Sequence, residues 1–385
     1  MTSRPQLHVV IASGQNQGNL IPALQCGATQ AWVLQTPAMK ASAEQLTQAF
    51  KARGIEVKRI PFDDRDVATL MTQAQDLAAQ LDGKPVVINF TGGTKPMALA
   101  LNQQLAGLLN TGSAATAPHL VYCDTDHQRL EWLSPAPQSE PMQDVLQLND
   151  ILLAQGYRRQ SGNGGAAAAE QDRAAQERAD LTRWLGLNVT KLGNFLGAMN
   201  YLASRARPDE QRFEARQQFN YPPGGKWVVE WLQRCAELGL AHWDGEAEIV
   251  FADAAAAVYL GGGWVEEFAA LKLKGLFPHR WEQNLQVEQV GSGTRNELDA
   301  VVVHRNRMLI IECKAARTDN TPADWIYKLS QLSRSVGGAL ATPLLLSARK
   351  LDPEARQRAA QYKVDVIDGA EIQNLVPFLQ RWKDA

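Results

Sequence analysis

The sequence predicts an α/β protein with a Rossmann-like N-terminal domain, a helical middle region and a second α/β domain at the C-terminus. Three observations indicate this fold class. Short apolar runs alternate with helical patterns over residues 1–157, which is typical of βαβ units and a largely parallel sheet. Residues 158–260 are mainly helical, and strands alternate with helices again over residues 261–385. We therefore expect two α/β domains joined by a connector.

The elements of the N-terminal region follow from its apolar runs and from the residues that interrupt them. Gly54 ends one helical pattern, and Pro96 stands at the start of another, where the missing N–H of proline costs little. The predicted strands are residues 7–12, 31–35, 55–60 and 85–90, followed by a hairpin that turns at 125–127. The predicted helices are residues 41–53, 66–82 and 96–109.

The middle region starts with a segment of linker composition. Residues 158–170 are rich in Gly, Ser and Ala, which favours a flexible connection. Further on, a helix stops at Gly239 and is followed by a short hairpin that turns near Asp244 and Gly245. Helices followed by a hairpin resemble a winged helix, and a helical connector with a small ribbon explains the same pattern. Both interpretations stay open from the sequence.

The C-terminal region begins after three consecutive glycines, residues 261–263, which break the helical pattern. Strands and helices then alternate to the end of the chain, so a second sheet with helices around it is expected. The predicted helices are residues 264–275, 322–336 and 353–361. The predicted strands lie near residues 284–290, 298–304, 307–313, 342–346 and 363–367.

Composition narrows the class of protein further. The 385 residues carry a net charge of −2, so the molecule has no overall basic field and a nucleic acid must bind a local patch. The four cysteines form no CxxC pair, which argues against a zinc ribbon or a disulfide framework. No apolar run approaches the roughly 18 residues that span a bilayer, and no signal peptide is recognisable. We expect a cytoplasmic protein with no membrane partner.

A group of charged residues interrupts the apolar hairpin predicted at 298–313. Glu297 and Asp299 share one face of the first strand, and Glu312 and Lys314 share a face of the second, because residues two apart on a strand point the same way. The hairpin turn can bring Asp299, Glu312 and Lys314 together. Buried carboxylates are costly unless they are paired or bind a metal. A surface salt-bridge cluster or an inactive fold is the alternative.

Two carboxylates and a lysine are the groups that metal-assisted phosphodiester cleavage requires. The carboxylate oxygens suit Mg²⁺ or Mn²⁺, which acidifies a bound water. Lys314 can orient that water or offset the negative charge that develops on the phosphate. The spacing D-x₁₂-E-x-K is considerably more specific than an isolated ExK. It predicts a metal site at Asp299 and Glu312.

A second candidate site follows the apolar run at residues 85–90. The sequence Thr-Gly-Gly-Thr-Lys at 91–95 leads directly into a helix, so free N–H groups and the helix dipole favour a phosphate there. Gly92 and Gly93 permit close approach of the backbone, Thr94 can donate its hydroxyl, and Lys95 adds a charge. The loop is neither a Walker A motif nor a dinucleotide fingerprint. A structural turn would explain the glycines but not the Thr-Lys pair.

The segment after the first predicted strand is the third candidate. Residues 13–19 are polar and contain two glycines, and they lie where open α/β sheets bind ligands, at the carboxyl end of a strand. Ser13, Gln15 and Asn16 could hydrogen-bond a base or a ribose. Solvation of an ordinary loop is an equally good explanation for each of them.

These motifs together resemble a known family. The strand–TGGTK–helix at 86–109, the ELD…ECK pattern at 297–314 and the GxWxE pattern at 262–266 look like the CARF-domain nucleases that accompany type III CRISPR systems. CARF stands for CRISPR-associated Rossmann fold. The likeness is to members with one CARF domain, a winged-helix-like region and one PD-(D/E)xK domain, a restriction-endonuclease-like fold. It covers almost the whole chain in domain order.

The resemblance implies an activator and a mechanism that the composition does not reveal. Proteins of this kind are homodimers in which one cyclic oligoadenylate, usually cyclic tetra-adenylate, lies across the twofold axis. Binding reorients the nuclease domains, which cut DNA or RNA with little sequence preference, using Mn²⁺ or Mg²⁺. The implied activator contacts are Ser13, Gln15, Gly92, Gly93, Thr94 and Lys95. The implied catalytic residues are Glu266, Asp299, Glu312 and Lys314, flanked by Glu297, with Glu266, Asp299 and Glu312 as metal ligands.

Two other functions remain possible on the sequence. A transcriptional regulator would use the winged helix to bind DNA and keep the C-terminal domain only as a scaffold. A constitutive restriction or repair nuclease would cut without any nucleotide activator. For Glu266, favourable placement in the first turn of a helix is an alternative to a catalytic role.

Overall fold

The N-terminal domain is built on a sheet whose first five strands are parallel. The computed structural model describes residues 4–111, 117–161, 165–209, 211–315 and 321–385. Within these residues the sheet has seven strands in the order β3-β2-β1-β4-β5-β6-β7, the last two antiparallel. The strands are β1 Leu7–Ile11, β2 Gln30–Gln35, β3 Glu56–Pro61, β4 Val86–Asn89, β5 His119–Asp124, β6 Arg129–Ser134 and β7 Gln138–Pro141. The predicted parallel sheet and its closing hairpin are confirmed.

Helices flank this sheet, and their ends follow local chemistry. Asp66 caps the third helix by accepting a hydrogen bond from the Thr69 N–H at 2.8 Å, and Gly54 takes a positive φ of 74° after the second. The helices are α1 Gln17–Gln25, α2 Lys40–Ala52, α3 Val67–Leu81, α4 Lys95–Thr111 and α5 Leu148–Ala154, with a 3₁₀ turn at Pro37–Met39. Helix α1 begins inside the polar segment 13–19, for which the sequence predicts a loop.

The middle region has the element order of a winged helix. Two helices, a strand, a further helix and a hairpin follow one another, and the strands form an antiparallel sheet in the order β10-β11-β9. The elements are β8 Tyr157–Ser161, α6 Gly165–Glu177, α7 Ala179–Leu192, α8 Phe195–Ala206, β9 Arg216–Gln218, α9 Lys226–Glu237, β10 Ala241–His242, β11 Glu248–Phe251 and α10 Ala254–Val258. The hairpin that the sequence predicts after Gly239 is present.

The C-terminal domain is a mixed sheet between helices. In the described chain its order is β16-β15-β14-β13-β12-β8, with β14, β15 and β16 parallel. The elements are α11 Trp264–Leu276, β12 Trp281–Gln289, β13 Arg295–His304, β14 Arg307–Lys314, α12 Pro322–Gly337, β15 Ala341–Ser347, α13 Pro353–Gln361, β16 Asp365–Asp368 and α14 Leu375–Asp384. A π-helical turn, Tyr259–Gly263, precedes α11, and 3₁₀ turns occupy Gly338–Leu340 and Gly369–Asn374.

The segment with linker composition is structured where the structure describes it. Strand β8 pairs antiparallel with β12 of the C-terminal sheet, with Tyr157 opposite Gln289, and α6 starts at Gly165. Residues 162–164 lie outside the described residues. The expectation of a flexible connection over 158–170 is therefore wrong for 158–161, because an edge strand can recruit polar residues that have little intrinsic strand preference. The domain boundary predicted between residues 157 and 158 stays a prediction, and it falls within β8.

The three regions share their apolar cores. One cluster of buried side chains joins Val10 and Leu46 of the first domain to Ile326 and Val336 on α12. A second cluster joins the middle region to the C-terminal sheet through buried residues such as Trp231 and Trp264. Within the described part of the chain, no helix is long and apolar enough to cross a membrane.

Candidate active site and ligand edge

The hairpin of β13 and β14 carries the catalytic candidates. Ala300 faces Ile311 across the antiparallel pair, and the chain turns through residues 305–306, which both have positive φ. The Cys313 backbone N–H donates a hydrogen bond to Asp299 Oδ2 at 2.7 Å, so the carboxylate on one strand is tied to the other strand. The acidic end of the first strand therefore lies beside the ExK end of the second.

Lys314 connects the two carboxylates. Its Nζ donates to Glu312 Oε1 at 2.6 Å and lies 4.0 Å from Asp299 Oδ2. The side chains of Asp299, Glu312 and Lys314 are 16%, 19% and 22% exposed, so the group is half-buried at the surface of the sheet. The structure brings these three residues together, and we refer to this group of predicted catalytic residues as the catalytic cluster.

The electrostatics of the catalytic cluster show an excess of negative charge. Burial raises the pKa of Asp299 to about 6, and the neighbouring charge of Glu312 adds to this shift. Burial disfavours the charged form of Lys314, but the charges of Glu312 and Asp299 outweigh it and raise the Lys314 pKa. One ammonium group therefore does not neutralise the carboxylates that surround it.

Glu266 approaches the catalytic cluster from helix α11. Burial raises the pKa of Glu266 to about 8, and the negative charge of Asp299 adds to this shift. The positive charge of Lys314 lowers the pKa, whereas the charges of Glu297 and Glu312 raise it further. Glu297 is exposed on β13, and its charge also raises the pKa of Asp299. Glu266, half-buried on α11, lines one cleft together with Lys314, and Glu297 on β13 is near enough for its charge to act on Asp299.

The next residue on α11 has a different role. Glu267 is 5% exposed and forms a bidentate ion pair with Arg178, whose Nε lies 3.0 Å from both carboxylate oxygens. The Arg178 guanidinium also stacks over the Tyr259 ring at 4.4 Å. Of two adjacent acidic residues in one helical turn, Glu267 joins the middle region to α11, and Glu266 faces the cluster.

The donor set of the catalytic cluster fits a hard divalent cation. Among the described residues, no group of three His, Cys, Asp or Glu side chains is arranged to hold a metal ion. Mg²⁺ needs only one or two protein carboxylates when water and a substrate phosphate complete its shell. Asp299 and Glu312 supply those carboxylates, and a cation beside Asp299 would offset both the burial and the charge of Glu312 that raise its pKa. The residues that could hold the ion are therefore Asp299 and Glu312, with Glu266 nearby.

The second candidate site lies at the carboxyl ends of β1 and β4. A Cβ atom on Gly92 would lie 2.1 Å from the Ile11 carbonyl oxygen, so only glycine permits this approach. Gly93 has a φ of 84° and packs against the Ile11 side chain. The Thr91 hydroxyl donates to Asn89 and accepts from the Cys123 N–H at 2.7 Å. These bonds tie the start of the turn to β4 and β5.

Thr94 and Lys95 are presented to solvent above this turn. Both residues are exposed, and α4 begins at Lys95. Thr94 Oγ1 accepts from the Met97 N–H at 3.4 Å, in the manner of a helix cap. The positive end of a helix dipole beside an exposed ammonium is a favourable place for an anion. We call the turn 91–95 and the neighbouring loop 13–16 the ligand edge.

The loop 13–16 is held by its own hydrogen bonds and by the other domain. The Ser13 hydroxyl accepts from the Gln15 N–H at 3.2 Å, and Asn16 is buried against Ser42. Gln15 is exposed, but its Oε1 accepts from the Ala339 N–H at 2.8 Å. Gln15 therefore joins the ligand edge to the turn that follows α12, and its side-chain oxygen already accepts a hydrogen bond there.

One residue that the sequence analysis does not single out strengthens this contact. Gln17 is 2% exposed, and its Nε2 donates to the Gly337 carbonyl at 2.9 Å. Gln155 Nε2 donates in turn to Gln17 Oε1 at 3.2 Å. Gly338, with a φ of 66°, allows both amides to approach, since a Cβ there would lie 2.6 Å from Gln17 Nε2. A glutamine in a polar segment gives no sequence signal for such a contact, which depends on tertiary packing.

Comparison with known proteins defines the class of this chain. Residues 7–150 match the family model of the Card1 CARF domain, and residues 253–385 match that of the Card1-like endonuclease domain. The chain therefore belongs to the CARF-domain nucleases, and the α/β fold predicted from the sequence is confirmed for both domains. Its two matched domains are those of Card1-like proteins.

Solved structures show the same fold over nearly the whole chain. Can2 from Sulfobacillus thermosulfidooxidans, in complex with cyclic tetra-adenylate (cA4), is 22% identical with a TM-score of 0.79, covering 98% of this chain and 99% of Can2. Protein VC1899 from Vibrio cholerae is also 22% identical, with a TM-score of 0.83 and 98% of each chain covered. No curated protein matches the chain in sequence.

A further structure is similar over part of its length. It is a type III CRISPR defence DNA nuclease activated by cyclic oligoadenylate, 18% identical with a TM-score of 0.54. The alignment covers 91% of this chain and 47% of that nuclease. At these identities the structural likeness establishes the fold, and the activator and substrate of this chain must be argued from its own residues.

Proposed function

We propose that this nuclease is a cytoplasmic homodimer that a cyclic oligoadenylate, cA4 first among them, activates to cut DNA or RNA in type III CRISPR defence. The observation that carries the proposal is the presence of two sites of opposite character on one chain. The catalytic cluster attracts a cation and a phosphodiester, whereas the ligand edge offers N–H groups and Lys95 to an anion. The likeness to Can2, which was solved with cA4, supports the choice of activator.

The residues of the catalytic cluster have separable tasks in this proposal. A bound Mg²⁺ or Mn²⁺ would acidify the attacking water and stabilise charge on the phosphate. Asp299 is held in place for this ion by the Cys313 N–H, and Glu312 by Lys314. Lys314 Nζ, beside both carboxylates, can donate to a phosphate oxygen as negative charge develops there. Glu266, which lines a cleft together with Lys314, adds a third carboxylate from helix α11.

The ligand edge suits a cyclic nucleotide on a twofold axis. Such a ligand presents the same phosphates to both subunits, so the ligand edge of each protomer would supply Lys95 and the Gly92–Thr94 backbone symmetrically. Ser13 and Gln15 would contact the same molecule from the neighbouring loop. Leu99 on α4, four residues after Lys95, is 69% exposed, so an apolar side chain follows the ligand edge where a second protomer would pack.

We further propose that activation passes through the contact of Gln15 and Gln17 with the end of α12. The hydrogen bonds to Gly337 and Ala339 join the ligand edge directly to the C-terminal domain. Helix α12 follows the catalytic strand β14 in the chain, so its position is coupled to that of the catalytic cluster. A ligand that draws Gln15 away from Ala339 would favour a different arrangement of the two domains.

Cleavage assays with and without activator test the proposal. Single-stranded DNA, single-stranded RNA and supercoiled plasmid are incubated with Mn²⁺, in the presence or absence of cA4, with the Glu312→Ala variant as control. We expect cleavage that requires both cA4 and Glu312. Cutting that needs Glu312 but ignores cA4 and cyclic hexa-adenylate would instead indicate a constitutive nuclease. No cutting under any condition would favour a DNA-binding regulator.

A further inference from the structure

The π-helical turn before α11 is packed between the middle region and the catalytic strand β14. On one side, a Cβ atom on Gly261 would lie 2.6 Å from the Cβ of Ala203 on α8. On the other side, a Cβ atom on Gly262 would lie 3.0 Å from the Cβ of Ala315, the residue after Lys314. Because both positions are glycine, α8 and the end of β14 can approach this turn from opposite sides.

The middle region also holds the π-helical turn through polar contacts. Asn200 Nδ2 on α8 donates a hydrogen bond to the Gly261 carbonyl oxygen at 2.5 Å. The hydroxyl of Tyr259, the first residue of the turn, lies 2.9 Å from the Thr182 hydroxyl on α7, and both side chains are buried. The Arg178 guanidinium lies 4.4 Å from the centre of the Tyr259 ring. The middle region therefore contacts the turn at its first and third residues.

The position of this turn determines where Glu266 lies. Helix α11 begins at Trp264, directly after the turn, and Glu266 belongs to its first turn. Asn200 lines the same cleft as Glu266 and Lys314, with a volume of about 470 Å³. A backbone shift at Gly261 would therefore move Glu266 relative to Lys314. A misplacement of about 1 Å in an active site can cost roughly a hundredfold in rate.

The winged-helix order of the middle region does not by itself give it a task. The two matched family models cover residues 7–150 and 253–385, so α7 and α8 lie outside both. The turn of the hairpin between β10 and β11 exposes Asp244 and Glu246, which would repel the phosphates of a nucleic acid. Arg216 on β9 forms an ion pair with Glu248. The contacts with the π-helical turn therefore favour a task other than DNA binding.

We propose that Asn200 is a positioning residue for Glu266 and that the middle region supports this part of the active site. The hydrogen bond to Gly261 keeps the π-helical turn against α8, so that Glu266 is available to a cation at Asp299 and Glu312. Asn200 acts through the backbone of the turn and touches no reacting group. This inference rests on the proposed nuclease function and adds a positioning residue to the same site.

Cleavage kinetics with cA4 and Mn²⁺ test the positioning role. Asn200→Ala removes the hydrogen bond to Gly261, whereas Asn200→Gln keeps an amide donor on a longer side chain. We expect Asn200→Ala to lower kcat at least about tenfold while KM changes less than about twofold, and Asn200→Gln to recover most of the rate. Ser204→Ala, one helical turn further along the same cleft, is the matched control and should resemble the parent protein. An unchanged kcat for Asn200→Ala, or an equal loss for Ser204→Ala, overturns the proposal.

The affinity for Mn²⁺, measured by calorimetry without nucleic acid, gives a second readout that needs no cleavage. The parent protein is compared with Asn200→Ala, Glu266→Gln and the double variant, and chemical denaturation checks that each is folded. Asn200→Leu, which keeps the size of the side chain but cannot donate, takes the place of Asn200→Ala if that variant does not fold.

A positioning residue that acts through Glu266 predicts effects on Mn²⁺ affinity that do not add. We expect Asn200→Ala to weaken Mn²⁺ binding at least about threefold, and the double variant to bind no more weakly than Glu266→Gln alone. Effects that add in the double variant, or an unchanged affinity in Asn200→Ala, overturn the proposal. A protein that shows the expected pattern but cuts no nucleic acid would support the positioning role and contradict only the proposed function.

Discussion

In the C-terminal domain, half-buried carboxylates crowd the end of the β13–β14 hairpin. In the N-terminal domain, a lysine and the start of a helix follow a glycine turn. The catalytic cluster concentrates negative charge, so that the pKa of Asp299 is raised to about 6 and that of Glu266 to about 8. The ligand edge contains no carboxylate between Thr91 and Lys95. We therefore expect opposite charges to bind at the two sites, a cation at the catalytic cluster and an anion at the ligand edge.

The two sites also differ in how they are tied to the rest of the fold. The catalytic cluster is closed on itself by the hydrogen bond from Cys313 to Asp299, which joins β14 to β13, and by the bond from Lys314 to Glu312 within β14. The ligand edge is bonded to another domain, since Gln15 and the nearby Gln17 form hydrogen bonds with the end of α12 and the turn after it. A site that depends on another domain can respond to a ligand and transmit the response. Substitutions at each site should therefore affect cleavage, stability and activator binding to different extents.

Removing the charge of Glu312 has the largest expected effect. The Glu312→Gln variant loses one of two hard oxygen donors and the partner of Lys314, so we expect cleavage to fall at least about a thousandfold. Activator binding, measured by calorimetry with cA4, should be unchanged because the ligand edge is intact. Residual cleavage within tenfold of the parent protein would show that Glu312 lies outside the catalytic machinery.

The adjacent glutamates of α11 are expected to separate stability from activity. The Glu267→Gln variant breaks a buried ion pair with Arg178 and should lower the free energy of unfolding by about 3 kcal/mol. The Glu266→Gln variant should change it by less than about 1 kcal/mol, because the raised pKa already favours an uncharged side chain.

Chemical denaturation of both variants measures these differences, and cleavage rates complete the comparison. We expect Glu266→Gln to lose cleavage activity while remaining stable. The main effect of Glu267→Gln should be a lower free energy of unfolding. If the two variants exchanged these properties, the assignment of Glu266 to the cluster and of Glu267 to the middle region would be wrong.

At the ligand edge, Lys95 is the charge to remove. Lys95→Ala leaves the glycine turn and the helix start in place, so we expect cA4 binding to weaken roughly tenfold to a hundredfold and to become less sensitive to salt. Lys84→Ala, which removes an exposed lysine elsewhere in the same domain, serves as control. Calorimetry at two salt concentrations checks the result, and equal affinities for the two variants would contradict it.

The smallest effect is expected at the contact between the domains. Gln17→Leu keeps the size of the side chain but removes the hydrogen bond to Gly337, so the ratio of cleavage rates with and without cA4 should change at least about fivefold. Gln25→Leu is the matched control, because that glutamine lies on the same helix and bonds to Glu140 and Pro141 within the N-terminal domain. The same ratio in both variants would place the route of activation elsewhere.

The catalytic cluster could be anticipated because it depends on short-range rules. Residues two apart on a strand share a face, and a tight turn brings the second strand back, so the spacing of Asp299, Glu312 and Lys314 suffices to place them together. The glycine turn at 92–93 could be anticipated for the same reason, since it follows a buried strand and precedes a helix. The roles of these residues stay predictions until they are tested.

The sequence could not reveal features that depend on partners distant in the chain. Strand β8 consists of polar residues and forms because β12 offers a free edge, and composition alone indicates a linker there. Helix α1 starts inside a polar, glycine-containing segment and contains Pro22, so its pattern resembles a loop. The contacts of Gln17 likewise arise from the packing of whole domains.

The central claim is that an anion bound at the ligand edge controls a cation-dependent site in the other domain. The most direct test is the rate of single-strand cleavage as a function of cA4 concentration, for the parent protein, Lys95→Ala and Glu312→Gln. We expect the cleavage rate of the parent protein to rise with cA4 concentration to a plateau. The Lys95→Ala variant should reach the same maximum rate at higher cA4 concentrations, and Glu312→Gln should show no cleavage at any concentration. A rate for the parent protein that does not depend on cA4 would contradict it.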